Sequence, residues 1–511
     1  MHKVYVNIDT NSDVCPFLNI LAEQPNICTE MLYPFVDQYR NTHVTDILFN
    51  PFCQGSSTET DVVESISDLY EIAQKNGIKN EFLDFFKGQV ELYRKHNIDP
   101  YGVWIDRCRD NGQNPWLSFR MNDVHALDVF ENEVYNAFYL TAVKNGWTLG
   151  PDYGYYGRAY DYIVPEIRKR MLDYIREQLT KYDVYGVEFD FMRECQCVSY
   201  LTHDNEICIN AMTTFMRDAK KVVTEAEKIH GHEIKICVRL LREIDQNLFY
   251  GLDPVTWADE GLVDVINPTP RWSASDSGIP VEEWKKAIPN TEIVAGIETL
   301  LKAASKSGED NVIMSSAIAR GHALSFLDAG SDGIYFYNYF INSDVEHTIE
   351  TEPEAPQFSR NLSLISSCGD AETIWKHPVR YVVVPQEQCG FARLPKLWKP
   401  LPVKLDDGAA ELEIRTGKVP ENKKIAVIIG IENGFDGAEI EINGVKCSDW
   451  KEVDLSYIPG VGIQPKYSVN DNTEYRRCVI DHSVLADSIQ KIKVKSQNGN
   501  AVLNWVEIDV I

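Results

Sequence analysis

The feature that most constrains this chain is an alternation. Through its first ~345 residues, short apolar segments of strand character take turns with amphipathic stretches of helical period. A parallel sheet wrapped by helices is the arrangement that accommodates that order. Eight strand segments can be read: KVYVNID from Lys3, VTDILFNPF from Val44, PWLSFRMND at 115–123, YGVEFDFMRE at 185–194, IKICVRLL from Ile234, LVDVINP from Leu262, TEIVAGIE from Thr291 and DGIYFYNYF from Asp332. Helices are expected near Glu30–Arg40, near Val129–Lys144, from Pro165 to about Tyr182, and over Asn205–His230.

The stretch YGVWIDRCRDNG invites a strand but reads better as a helix. Asp99 fits an N-cap, Pro100 the first turn and Gly112 a C-terminal stop. Eight strand–helix units of this total length predict a (β/α)8 TIM barrel. An open doubly wound sheet would need a glycine-rich phosphate turn after the first strand, and DTNSDVCP is not one.

The acid- and proline-rich ETEPEAP, residues 350–356, reads as a connector, followed by a helix near Ser359–Ser367. From about Thr373 the period changes to two. AELEIRT, KKIAVIIGIE, AEIEING, QKIKVKS and AVLNWVEIDV alternate and are separated by Gly, Asn and Asp turns, the pattern of an antiparallel β-sandwich. The expected organisation is a catalytic barrel over residues 1–372 and a β-sandwich over 373–511.

Charge excludes some functions. With 77 acids against 50 bases, the net charge is −27. That disfavours nucleic acid and anionic membrane surfaces, which need a basic face. No apolar run approaches a membrane span. The start, MHKVYVNIDTNSD, has no basic segment followed by an apolar run, so a cytoplasmic location is expected. The 12 cysteines are scattered. Cys195-x-Cys197 lacks a second ligand pair at metal spacing, and His203 is isolated, so these thiols are expected to pack; no metal and no cofactor is expected.

In barrels of this kind the chemistry sits at the carboxyl ends of the strands. Those ends carry, in order, Asp9; Asn50; Arg120, Asn122, Asp123 and His125; Glu188, Asp190, Arg193 and Glu194; Arg239 and Arg242; Asn267; Glu298; Tyr337 and Asn338. The acids of strands four and seven can face each other across the mouth. One carboxyl can then protonate a leaving oxygen while the other attacks carbon or activates water. Asp190 and Glu298 are the expected catalytic pair, placed in a cleft, with Glu188 as substitute for either. A separation of about 5–5.5 Å would favour retention, and about 6.5–9.5 Å inversion.

Each has a structural counter-reading. Glu188 lies deeper and can pair with Arg239 or Arg120. Glu298 and Asp123 can cap the helices that follow them, and His125 can bond to backbone. Arg120, Arg193, Arg239 and Arg242 can form a fork for an anionic substrate, but balancing the local acids is the simpler account, so a neutral glycoside is expected. Trp147, Tyr153, Tyr155, Tyr156, Tyr160, Tyr162, Trp257 and Trp272 gather in the same region. Aromatic planes suit the C–H faces of sugars, although some of these rings belong to the core. The substrate-binding set is Arg120, Asn122, Asp123, His125, Arg193, Arg239, Asn267, Trp272, Tyr337 and Asn338. The expected partner is a small carbohydrate or glycoside, with self-association left open.

YDVYGVEFDFMRE resembles the strand-four motif, DGIELDFMR in type, of bacterial glycosyl-hydrolase-like (β/α)8 proteins loosely called family-ten-like glycosylhydrolases. SFRMND with His125, AYDYIVPEIR, and IPVEEWK before strand seven are similar too, in the same order, over about residues 1–345. The chain departs from the motif at Tyr185, where Asp usually precedes Gly. The resemblance implies that Asp190 is a catalytic carboxylate, that Arg120, Asn122 and Arg193 shape the pocket, and that a glycosidic bond is hydrolysed. The other functions considered are a catalytically inert carbohydrate-binding or scaffold barrel, and a sugar-acid lyase or isomerase.

Overall fold

The computed structural model describes residues 1–10, 14–53, 55–124, 137–270, 277–302, 311–339, 362–383, 400–405, 409–453 and 472–510. His125, Trp272, the 350–356 connector and the start of the helix expected from Val129 lie outside the described residues.

Eight parallel strands form a closed barrel: β1 (Lys3–Ile8), β2 (Asp46–Cys53), β3 (Asn114–Arg120), β4 (Gly186–Asp190), β5 (Lys235–Leu240), β6 (Val265–Pro268), β7 (Glu292–Glu298) and β8 (Gly333–Tyr337). The ring closes because β1 pairs with both β2 and β8, Tyr5 standing beside Asp46 on one side and Tyr335 on the other. Alternation assigns the two faces. On β4, Val187 and Phe189 join the large cluster under the helices, while Glu188 points the other way. On β8, Ile334 and Phe336 face outward in the same cluster, and Tyr335 and Tyr337 pack with Tyr5, Leu48, Trp116, Cys237, Val265 and Val294 inside the barrel.

The barrel interior is filled by a few large rings, which dictates where glycine must stand. A Cβ on Gly186 would lie 2.2 Å from Cζ3 of Trp116. The indole therefore occupies the space a side chain on β4 would need, and its Nε1–H donates to Asp46 at 2.8 Å.

The helix over Pro100–Asp110 forms as read. The Asp99 carboxylate accepts the N–H groups of Tyr101 and Gly102, and Gly112 has φ 76°, the left-handed conformation that suits a stop. The helices Pro165–Lys181 and Asn205–His230 also match. The one expected near Glu30–Arg40 is broken. A 3-10 turn at Thr29–Leu32 is followed by a four-residue helix starting at Pro34, whose ring has no N–H to continue the preceding turn. A helix at Cys15–Ala22 and a small helical insertion over Ile66–Glu91 were not expected.

After the barrel come two antiparallel sheets. The strands are β9 (Val379–Val383), β10 (Ala410–Arg415), β11 (Ile425–Glu432), β12 (Glu439–Ile442), β13 (Val445–Cys447), β14 (Lys451–Glu452), β15 (Thr473–Ile480), β16 (Ile489–Lys495) and β17 (Val502–Val510). One sheet runs β9-β17-β11-β15-β14, with Val403–Lys404 also on β17; the other runs β10-β16-β12-β13. The five segments with period two are all strands; β9, β13, β14 and β15 were not foreseen. The helix Ser316–Asp328 lies against β9 so closely that a Cβ on Gly321 would meet the Arg380 carbonyl oxygen at 2.2 Å.

Candidate active site

Strand register builds the site. Across β3, β4, β5 and β6, Arg120, Asp190, Arg239 and Asn267 stand side by side in one row at the carboxyl end. On the other wall, Glu298 of β7 stands beside Tyr337 of β8. One layer down, Ser118, Glu188 and Cys237 form the corresponding row. Because side chains alternate, the same face of each strand supplies both layers.

Asp190 is fully buried. It accepts a bond from Nη1 of Arg239 at 2.9 Å and the backbone N–H groups of Met192 at 2.8 Å and Arg193 at 3.0 Å. These bonds turn the chain sharply after β4. Glu298 is also buried. Both carboxylates were expected in an open cleft; both lie instead below the surface, because the strand-end side chains converge on the barrel axis.

Among the described residues, Glu188 is not paired with an arginine. Its Oε1 accepts the hydroxyls of Ser118 at 2.6 Å and Tyr335 at 2.9 Å and the Asn7 amide at 3.4 Å, and the Cys237 thiol lies 3.7 Å from Oε2. Burial, then the Asp190 charge, pushes its carboxyl up to about 7, against the opposing pull of Ser118, Arg239 and Tyr335. Glu188 thus holds its proton up to about pH 7.

Arg239 joins the two walls. Its guanidinium lies 3.3 Å from the centroid of the Tyr337 ring. Burial works to lower its pKa, but the net shift is upward through Asp190, Tyr337, Tyr335 and Glu298. The strand-four and strand-seven acids therefore act on one guanidinium.

The other arginines also hold acids. Arg120 bonds Asp9 at 2.5 Å and Asp123 at 3.2 Å, and Arg193 bonds Asp123 at 3.3 Å. Arg242 pairs with Glu243 and donates to the Gly278 carbonyl at 2.6 Å. A chain of alternating charge, Asp9–Arg120–Asp123–Arg193, so links the ends of β1, β3 and β4.

Other expected contacts serve the loops. The Asn122 amide donates to the carbonyls of Tyr160 at 2.9 Å and Gln196 at 3.0 Å, and its oxygen accepts the Tyr160 N–H at 2.9 Å. Asn267 is bonded to the Val294 carbonyl and to Thr269. Asn338, at φ 45°, accepts from Arg120 at 3.4 Å. Trp257 and Tyr162 are core residues, donating to Thr213 and to the Met121 carbonyl. Tyr153 and Tyr156 form a side cluster with Val124, Tyr139 and Leu149. Cys195 and Cys197 are buried in the main core. Among the described residues no group of three His, Cys, Asp or Glu side chains could hold a metal ion, and no helix is long and apolar enough to cross a membrane.

Asn7, Ser118 and Tyr335, which hold Glu188, are not among the residues expected at the site, and Asp9 was expected only as a strand end. Stepping back by two from each strand end would have found the first three.

The fold and this interior define a (β/α)8 barrel with buried carboxylates at its carboxyl end. Among solved structures the chain is similar to a cycloisomaltooligosaccharide glucanotransferase from Paenibacillus sp., with TM-score 0.36 and 10% identity over 98% of this chain and 57% of that one. It is also similar to alpha-L-fucosidase isoenzyme 2 from Paenibacillus thiaminolyticus, with TM-score 0.38 and 11% identity over 66% and 46%. The endo-beta-1,4-mannanase from Thermotoga petrophila gives TM-score 0.43 and 11% identity over 99% and 97%. The chain thus spans about half the length of the first two. No family model matches it, and no curated protein matches it. Likeness at these TM-scores carries no argument about chemistry, which rests on the residues themselves.

Proposed function

We propose that the protein is a glycoside hydrolase acting on a small oligosaccharide or glycoside, with Asp190 and Glu298 as the carboxylate pair and Glu188 as a second proton-carrying acid. The observation that supports this is geometric: Asp190 bonds Arg239 at 2.9 Å, and Glu298 stands beside Tyr337, whose ring lies 3.3 Å from that guanidinium. Glycosidic cleavage needs two carboxyl groups on opposite sides of one bond, and acids from β4 and β7 approach the barrel axis from different walls. The strand-four resemblance to glycosyl-hydrolase-like barrels adds to the same reading. A screen of purified protein against aryl glycosides, with and without chelator, tests it. Release of the phenol from at least one glycoside, unaffected by chelator, is expected.

A second reading has one observation in its favour. Asp190 is buried in an ion pair, as a barrel that binds carbohydrate without cleaving it would have it. Glycosides that raise the melting temperature yet are never turned over would select that reading.

A further inference from the structure

Buried polar groups almost always have partners, so the exceptions deserve a reason. At the barrel mouth, the Tyr337 hydroxyl and Nε of Arg239 are buried and have no hydrogen-bond partner among the described residues. Tyr337 is 2% exposed. Its ring is aimed into the barrel, because it packs in the interior cluster with Tyr335 and Val294 and lies under the Arg239 guanidinium. Arg120, Asp190, Arg193 and Arg239 all act electrostatically on the phenol, which places it centrally among the charged strand ends.

The two groups belong to one stacked unit. The ring fixes the guanidinium from one side, and Asp190 fixes Nη1 from another. That leaves an N–H donor and a hydroxyl, which can donate or accept, held rigid beside a carboxylate. The charge of Arg239 is already opposed by Asp190 and Glu298, so the unit does not offer an unmatched cation to an anionic ligand.

We propose that Tyr337 and the Nε–H of Arg239 form a hydrogen-bonding subsite for a hydroxyl group of an uncharged sugar. The proposal rests on the glycosidase reading for its ligand class but not for its turnover. A hydroxyl of the sugar accepts from Nε–H and exchanges a second hydrogen bond with the phenol. A carboxylate in the same place would meet the charge of Asp190, bonded to Arg239, and that of Glu298 on the neighbouring strand, and is disfavoured. The subsite therefore selects neutral sugars over sugar acids.

The test is binding, read apart from catalysis. Calorimetry and melting temperatures are recorded with the methyl glycosides of glucose, galactose, mannose, xylose and fucose, and with methyl glucuronide and methyl galacturonide as carboxylated matches. The proteins are wild type, Tyr337→Phe and Arg239→Lys. At least one neutral glycoside should bind wild type more tightly than its carboxylated match. Tyr337→Phe removes only the hydroxyl. Its melting temperature without sugar should be unchanged or raised, while its affinity falls about tenfold, the worth of one hydrogen bond to a ligand. Arg239→Lys keeps the charge, loses Nε–H, and should lose affinity for the same glycoside. The proposal is overturned if Tyr337→Phe lowers the melting temperature without changing affinity, which marks a purely structural hydroxyl. It is equally overturned if no neutral glycoside binds, or if the carboxylated sugars bind better. Binding that behaves as expected without any turnover would sink the hydrolase reading alone.

Discussion

Asp190 and Arg239 meet at 2.9 Å between the ends of β4 and β5, with side chains 0% and 1% exposed. A buried ion pair contributes little net stability when intact, but breaking it by removing one partner costs about 3–5 kcal/mol, because a charge is left buried and unmatched. Asp190→Asn is therefore expected to be folded but measurably destabilised in urea titrations. A variant as stable as wild type would show that the pair is not closed to solvent. Turnover of Asp190→Asn must accordingly be compared at a temperature where both proteins are folded.

Glu188 makes stability depend on pH. Its carboxyl is raised from 4.5 to about 7 in the folded chain, so between those values the native state binds more protons than the unfolded one. Its contribution is fully present below about 4.5, declines as pH rises, and is lost once pH has passed 7. The loss is on the order of a few kcal/mol. Glu188→Gln keeps an oxygen for Ser118 and Tyr335 and cannot ionise. The stability difference, variant minus wild type, should therefore grow from pH 4.5 to 7 and then level off. A difference that stays flat across that window would remove the raised carboxyl.

Gly186 and Trp116 share one space. Adding a methyl at Gly186 puts carbon 2.2 Å from the indole, and overpacking of this kind costs about 1–3 kcal/mol or more. Gly186→Ala should lower the melting temperature markedly, and the double variant with Trp116→Phe should recover part of the loss. Additive losses in the pair would mean that the two positions do not compete.

The division into residues 1–372 and 373–511 is our proposal. The same contact that seats the helix Ser316–Asp328 on β9 predicts how the halves behave. The buried apolar cluster runs without a break from Val4 and Phe189 to Val427 and Trp505, and the Arg415 guanidinium reaches back to Asp328 at 2.7 Å. Calorimetry should show one cooperative transition. Gly321→Val should lower its midpoint without splitting it, and two separated transitions would contradict a shared core.

Much of the barrel was legible because its strands are apolar on one face and carry polar or aromatic ends on the other, so strand ends could be read directly. The helix at Pro100 was legible from Asp99, Pro100 and Gly112, each of which plays its local role. What sequence could not supply was the neighbours of each acid. Glu188 reads as the deeper of the two in VEFD, but register sets it beside Ser118 and sets Asp190 beside Arg120, and that step of one layer separates a hydroxyl-held acid from an ion-paired one. Pairing was equally illegible. In the structural counter-reading Glu188 pairs with Arg239 or Arg120; Arg239 bonds Asp190 instead, because the two stand side by side in the strand register. β15 was missed since its TEYRRCVI places Arg476 and Arg477 in mid-strand, where each finds an acid, Asp436 or Asp509.

The account stands or falls on the two mouth acids. The most direct measurement is kcat for the best aryl glycoside found, with wild type, Asp190→Asn and Glu298→Gln, each confirmed folded. Loss of an acid that gives a proton or attacks carbon should lower kcat by about 10²–10⁴-fold or more in each variant. Turnover within a few-fold of wild type in either variant would remove that carboxylate from the mechanism and contradict the paired-acid account.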